Sequence, residues 1–189
     1  MLAHMALLTS AITSLDGYVA DADGRFDWAM PPADLHEYMN ELNRDISTHL
    51  LGRRMYEVMQ YWETAGQDAD DSPIERDYAE VWRAAEKVVY SRTLDAVTTR
   101  RTRLERSFEP EAVRALVADA DRDVSVSGPG LASAAFRAGL VDEVLLFVHP
   151  VLVGSGTRAL PNGVRLELEL VDQRQFSGGV QHTRYRVRR

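Results

Sequence analysis

The stretch from Asp123 to Leu160 constrains this chain more than any other. It opens on a short alternation, Val124 and Val126, that reads as a strand. Ser127-Gly128-Pro129-Gly130 follows, and so glycine-rich a segment makes a tight turn. Leu131 to Ala138 has helical composition, and Gly139 stands where a left-handed C-cap belongs. Val144 to Val148 is a continuous apolar run between Asp142-Glu143 and His149-Pro150, the pattern of a strand buried on both faces. Gly154 and Gly156 close the unit. Strand, glycine turn, helix and strand make a βαβ unit, and its helix start offers backbone N–H groups to an anion, most often phosphate.

The preceding segments repeat the alternation of strand and helix. Met5 to Thr13 is an apolar run fit for a central strand, broken by Ser14-Leu15-Asp16-Gly17-Tyr18. A polar loop, Ala20 to Gly24, leads to Trp28 and Pro31-Pro32. Leu35, Tyr38, Met39, Leu42 and Ile46 then fall at helical spacing, with Asp34 in the first turn, where a carboxylate favours the helix dipole. Thr48 to Leu51 reads as a short strand ending at Gly52-Arg53-Arg54. Met55, Val58, Met59 and Trp62 predict a second helix. Thr64 to Pro73 has only alanines as apolar anchors and reads as the mobile loop of the chain. Tyr78, Val81, Trp82 and Ala85 predict a third helix, and Lys87 to Ser91 a strand. Thr98 to Phe108, with Arg100, Arg101, Arg103 and Arg106, reads as a solvated edge strand. Val113 to Ala120 is helical after Pro110. The tail from Val164 to Val187 alternates and turns at Gly178-Gly179, an antiparallel hairpin at a sheet edge. The whole is an α/β chain with a mostly parallel sheet, read as a single domain over residues 1–189.

Composition narrows the function. A net charge of −7 argues against a general nucleic-acid or anionic-membrane binder. With no cysteine, thiolate chemistry and Cys-ligated zinc are excluded. The five histidines (His4, His36, His49, His149, His182) show no H-x-x-x-H spacing, so no metal is expected. No window approaches the ~18 apolar residues of a membrane span, and the N-terminus lacks a signal peptide's basic flank. A cytoplasmic protein is the expectation.

Ligands of open α/β sheets bind beyond the carboxyl ends of the strands. Four such ends stand out: Ser14-Leu15-Asp16-Gly17, Gly52-Arg53-Arg54, Ser91-Arg92 and Ser127 to Gly130. Glycine loops suit a pyrophosphate and guanidinium forks a terminal monophosphate. The G-x-G-x-x-G dinucleotide pattern does not apply, because the acidic residue it requires ~20 positions on is replaced by His149-Pro150. Each residue also has a plainer role. Asp16 can make a turn, Asp34 can serve the helix dipole, the arginines can be solvated, and His149 can be structural. Trp62, Tyr78 and Trp82 fit packing.

Taken together, Ser14 to Tyr18, Leu51 to Glu57 and Ser91 to Leu94 resemble the dihydrofolate reductase-like superfamily. Ser127 to Leu131, Gly139 to Glu143 and His149 to Gly156 resemble one branch of it, the C-terminal reductase domain of the bifunctional riboflavin-biosynthesis deaminase/reductase. The resemblance runs from about Leu7 to the C-terminus. It implies a central, mostly parallel mixed sheet flanked by helices, and NADPH as cofactor. By position, Gly52, Arg53, Arg54, Met55, Ser91 and Arg92 would hold the adenosine end and its 2′-phosphate. Ser127, Gly128, Pro129, Gly130 and Leu131 would hold the pyrophosphate. Ser14, Asp16, Gly17 and Trp28 would border nicotinamide and substrate, and Gly154 and Gly156 would admit backbone to the ligands. Asp34 and Asp16 are the candidate catalytic carboxylates, Asp34 by its place after a tryptophan-containing loop. With no cysteine for the C-x-x-C of the zinc deaminase half, the expectation is the reductase half alone, or a descendant of it with another substrate. A reductase of a small nitrogen heterocycle or ribosylated pyrimidine is implied, with a true dihydrofolate reductase and a non-catalytic NADP-binding module as alternatives. The resemblance also implies a homodimer built near the C-terminal strands.

Overall fold

A computed structural model of the chain describes residues 5–67 and 72–189. In chain order the first half runs β1 (Leu7–Ser14), β2 (Tyr18–Asp21), α1 (Ala33–Arg44), β3 (Ile46–Gly52), α2 (Arg53–Met59), α3 (Pro73–Ala84) and β4 (Glu86–Tyr90). The second half runs β5 (Thr102–Glu105), α4 (Pro110–Asp119), β6 (Asp123–Ser127), α5 (Pro129–Arg137), β7 (Glu143–His149), β8 (Gly156–Arg158), β9 (Leu168–Gln175) and β10 (Gln181–Val187). Eight strands form one sheet in the order β5-β4-β3-β6-β1-β7-β10-β9, and β2 pairs with β8 in a separate two-stranded ribbon. The pairs from β5 to β7 are parallel, and β10 is antiparallel to both β7 and β9.

Chain direction decides where the helices lie. The links from β1 to β3 and from β3 to β4 step toward one edge, whereas those from β5 to β6 and from β6 to β7 step back. Right-handed crossovers running in opposite directions place their helices on opposite faces. The core divides accordingly. Leu50 packs with Val113 and Val117 of α4 and Ala135 and Phe136 of α5, while its neighbour Leu51 packs with Tyr56 and Trp82 on the other face. Leu35 of α1 packs on Phe147 and Val180.

Local chemistry sets the helix ends. Ser72 and Glu75 form a reciprocal capping box at the start of α3, where Glu75 N–H donates to Ser72 Oγ (3.2 Å) and Ser72 N–H to Glu75 Oε2 (2.9 Å). Pro73, Pro110 and Pro129 occupy first-turn positions, where a missing N–H costs nothing. Gly139, at φ +65°, ends α5 as expected.

The structure corrects several boundaries. Ile46 does not continue α1; it opens β3, which spans Ile46–Gly52 rather than Thr48 to Leu51. In the second helix Val58 is 47% exposed, and the buried side chain is Tyr56. The Tyr56 hydroxyl accepts from Thr98 N–H (2.9 Å) and Thr99 N–H (3.3 Å), tying down the chain before β5. The arginine-rich strand is an edge strand, but only over Thr102–Glu105. In the predicted mobile loop, Ala65 is buried and its carbonyl accepts from Arg83 (2.9 Å); residues 68–71 lie outside the described part. The ribbon of β2 and β8 was invisible to periodicity because each strand has only three or four residues.

One polar pair lies deep between sheet and helix. His49 of β3 is 5% exposed, its Nδ1 lies 2.7 Å from Ser125 Oγ on β6, and its ring stacks on Trp82. Burial, with the Lys87 charge nearby, pushes the imidazole down to about 4 from 6.5. Between those values the unfolded chain takes up a proton that the folded one refuses, so stability falls as pH drops from 6.5 toward 4. Such a shift is worth up to about 3 kcal/mol. Urea unfolding midpoints measured across that window are expected to decline, and His49→Asn, which cannot titrate, to show a shallower decline.

Candidate cofactor and substrate site

β1 and β6 lie side by side, yet their onward connections leave toward opposite edges of the sheet. That reversal opens a crevice at their carboxyl ends. The turns after β1, β3, β4, β6 and β7 all meet this end of the sheet, because these strands are mutually parallel.

One side of the crevice is built by glycines. Gly128 is the N-cap of α5 at φ +96°, and a Cβ there would lie 3.5 Å from Gly52 N and from Met55 Cβ. A Cβ on Gly52 would lie 3.7 Å from Leu131 Cβ. The Gly52–Met55 and Ser127–Leu131 segments therefore touch, as the sequence reading requires of a shared ligand site. Around Gly130, by contrast, a Cβ would meet nothing within 4 Å. Pro129 contributes no N–H, and the first-turn N–H groups that follow have no acceptor within their helix. Open space before unpaired donors suits a phosphate group.

The arginines divide into two kinds. Arg53 is occupied, donating to Glu57 Oε1 (2.7 Å) and Thr93 Oγ1 (2.7 Å). Arg54 and Arg92 are exposed and have no hydrogen-bond or ion-pair partner among the described residues. Ser91 is used by its own turn, where Oγ accepts from Thr93 N–H (3.3 Å) and Leu94 N–H (3.0 Å). Arg106 is a residue the sequence reading missed. Its guanidinium donates to Ser91 O (3.2 Å) and Leu94 O (2.6 Å), bracing the turn that carries Arg92. An arginine run read as uniformly solvated hid this one member.

The other side belongs to β1, β7 and their loops. Gly17, at φ +86°, completes a turn in which its N–H donates to Ser14 O (2.9 Å), and Tyr18 N–H donates to Ser14 Oγ (3.0 Å). The Asp16 carboxylate accepts from Val153 N–H (3.2 Å) and Gly154 N–H (2.7 Å), clipping this turn to the loop after β7. The Ser14 hydroxyl and these N–H groups hold Asp16 below the usual carboxylate range. Asp34 accepts from Ser177 N–H and Ser177 Oγ (both 2.9 Å), which ties α1 to the β9–β10 turn, and these bonds keep it low as well. A proton donor works best with its pKa raised toward the working pH, and the Ser177 bonds act on Asp34 in the opposite direction. Trp28 stands edge-on to His149, ring centroids 6.1 Å apart. Leu15 and Leu152, 64% and 70% exposed, project from the two clipped loops. A groove of about 560 Å³ along α1, lined by Tyr38, Asn40, Ile74 and Asp77, shares only Asp34 with the expected site.

Gly156 has a clear structural reason. At φ +140° it faces β2 so closely that a Cβ would collide with Ala20 O and the Asp21 carbonyl. Gly156→Ala is expected to cost more than about 2 kcal/mol through backbone strain and overpacking. Chemical denaturation would measure this; a change under about 0.5 kcal/mol, the size of an ordinary surface substitution, would show the ribbon to be dispensable.

Comparisons with known proteins agree with this architecture. YyaP of Bacillus subtilis strain 168, an uncharacterized protein, is 28% identical over 176 residues, covering 92% of this chain and 90% of its own. The crystal structure of a putative riboflavin biosynthesis protein from Shewanella sp. PV-4 superposes with a TM-score of 0.76 at 20% identity, over 98% of this chain and 100% of that one. A dihydrofolate reductase from Enterococcus faecalis, solved with NADP(H), superposes with a TM-score of 0.65 at 14% identity over 97% of each chain. The fold is dihydrofolate reductase-like. The RibD C-terminal domain family matches residues 6–182, through every strand and turn that frames the crevice, and the chain belongs to that family.

Proposed function

We propose that the protein is an NADPH-dependent reductase of the riboflavin-pathway type, acting on a small nitrogen heterocycle or ribosylated pyrimidine. The observation that carries this reading is the contact between the Gly128 turn and Gly52–Met55 beside the open first turn of α5. The residues fit the cofactor. Backbone N–H groups at Gly130 and Leu131 would take the pyrophosphate, and the unpartnered Arg92 and Arg54 would take the 2′-phosphate. Ser91 and Arg53 hold the turns from which those cations project. When bound, NADPH supplies the hydride. Ser14, Asp16 and Gly17 hold the β1 turn against the β7 loop and so fix the floor beneath the substrate. Asp16 and Asp34 stay ionised at neutral pH, so the proton for the substrate's heteroatom comes from water.

Calorimetric titration with NADPH and NADH tests this. Binding is expected to favour NADPH, and Arg92→Ala to weaken NADPH roughly tenfold, the worth of one charge-assisted bond, while leaving NADH unchanged. Gly130→Val is expected to weaken both by filling the open first turn. Failure to bind either nucleotide would overturn the reading. Folate reduction that is lost in Asp34→Asn would favour a true dihydrofolate reductase, against which the Ser177 bonds weigh. NADPH binding without turnover of any heterocycle would favour a non-catalytic module.

The same reading includes a homodimer. Edge strand β9 exposes Leu168, Leu170 and Val171, and its register against β10 shifts so that Val171 is unmatched. Leu170→Glu is expected to convert a dimer to a monomer by light scattering; a wild type that is already monomeric would overturn this part.

A further inference from the structure

The turn from Ser91 to Asp95 follows β4 at the crevice end of the sheet, and three of its carbonyl oxygens share one donor. Arg106, the residue after β5, donates from one guanidinium nitrogen to Ser91 O (3.2 Å) and Leu94 O (2.6 Å). Its other terminal nitrogen reaches Asp95 O (3.5 Å). Strand pairing puts it there. Tyr90 is level with Glu105, and Ser91 N–H donates to Glu105 O (3.0 Å), so Arg106 stands beside the start of the turn. From the opposite side Arg53 of α2 reaches Thr93 Oγ1 (2.7 Å).

No other arginine of this run is used in that way. Arg100, Arg101 and Arg103 pair with Glu63, Glu86 and Glu105, and Arg53 pairs with Glu57. Arg106 has no carboxylate partner among the described residues; its bonds go to neutral main-chain oxygens. The consequence falls on Arg92, which is exposed, unpartnered and carried by the turn. Carbonyl oxygens carry partial negative charge, and those that would oppose an anion beside Arg92 are bound to Arg106 instead. The N–H groups of Thr93 and Leu94 are likewise taken up by Ser91 Oγ. A turn held from both sides starts the Arg92 side chain from a fixed point, which lowers the cost of ordering it on a ligand.

We propose that Arg106 is a positioning residue for cofactor choice: by holding the Ser91–Asp95 turn it fixes Arg92 for the 2′-phosphate, and so sets the preference for the phosphorylated nicotinamide dinucleotide. This rests on the reductase reading and deepens it, because that reading gives the phosphate to Arg92 and Arg54 and leaves Arg106 no part in selectivity.

The test is calorimetric titration of the full chain with NADPH and with NADH. Arg106→Met keeps an unbranched stem and removes every donor; it is expected to weaken NADPH about tenfold, like the loss of one charge-assisted bond, and to leave NADH within about twofold. In Arg106→Lys an ammonium takes the place of the one nitrogen that makes both shorter bonds, and NADPH binding is expected to recover to within about threefold of wild type. Loss of stem packing alone would not be rescued by charge. Because Arg106 acts through Arg92, adding Arg106→Met to Arg92→Ala is expected to cost less than about threefold more, whereas independent losses would multiply. An unchanged ratio of NADPH to NADH affinity in Arg106→Met would overturn the proposal, as would multiplied losses in the double variant. Should Arg106→Met fail to fold, Arg106→Gln, whose amide stops short of the turn, replaces it with the same loss of preference expected. A wild type with no preference for NADPH would overturn the 2′-phosphate assignment of the reductase reading, and this proposal with it.

Discussion

The register of β1 against β7 underlies everything at the site end of this molecule. Seven residues of β1 pair in step with β7, from Leu8 opposite Glu143 to Ser14 opposite His149. Two aspartates lock the other end. Asp142 Oδ2 accepts from Leu7 N–H (2.8 Å), and Asp123 Oδ1 accepts from Ala6 N–H (2.9 Å). A slip of one residue would turn each β1 side chain to the opposite face. It would also carry Asp16 away from the Val153 and Gly154 amides. The clip between the two loops is thus a consequence of strand pairing that begins some 20 Å away at ~3.3 Å per residue.

Polar groups in the structure divide by what they are bound to. The conspicuous acids and hydroxyls of the sequence motifs, Ser14, Asp16, Ser91 and Asp34, bind backbone and hold turns in shape. Among the described residues, the groups without a partner include Arg54 and Arg92 and the buried ring nitrogens of Trp28, Trp82, His149 and His182, and the first turn of α5 is open as well. A motif in this fold therefore describes a scaffold more than a set of reacting atoms.

That division explains what could be read from the chain. The mostly parallel sheet, the βαβ unit around Gly128 and the C-terminal hairpin were legible because each rests on local pattern: β-branched runs, glycine punctuation, helical spacing. The convergence of Gly52 on Gly128 followed from strand order, and resemblance supplied that. Tyr56 escaped notice because its burial depends on the Thr98–Thr99 backbone, more than 40 positions on. The loop-holding bonds of Asp16 and Asp34 were not legible for a similar reason. Their partners, Gly154 and Ser177, lie 138 and 143 residues away, and no local rule couples such distances.

The two rims of the sheet differ in kind. β5, at one rim, carries Arg103 and Glu105 and is flanked by Arg101, which pairs with Glu86, and by Arg106. β9, at the other, presents leucines and an unmatched residue. Desolvating the charged rim against the apolar one would take its ion pairs out of water with no polar group opposite them, which disfavours head-to-tail addition of copies. Two copies joined apolar rim to apolar rim would make a self-complementary contact, and the combined sheet would then carry only charged rims at its ends, the kind of edge that discourages further strand pairing.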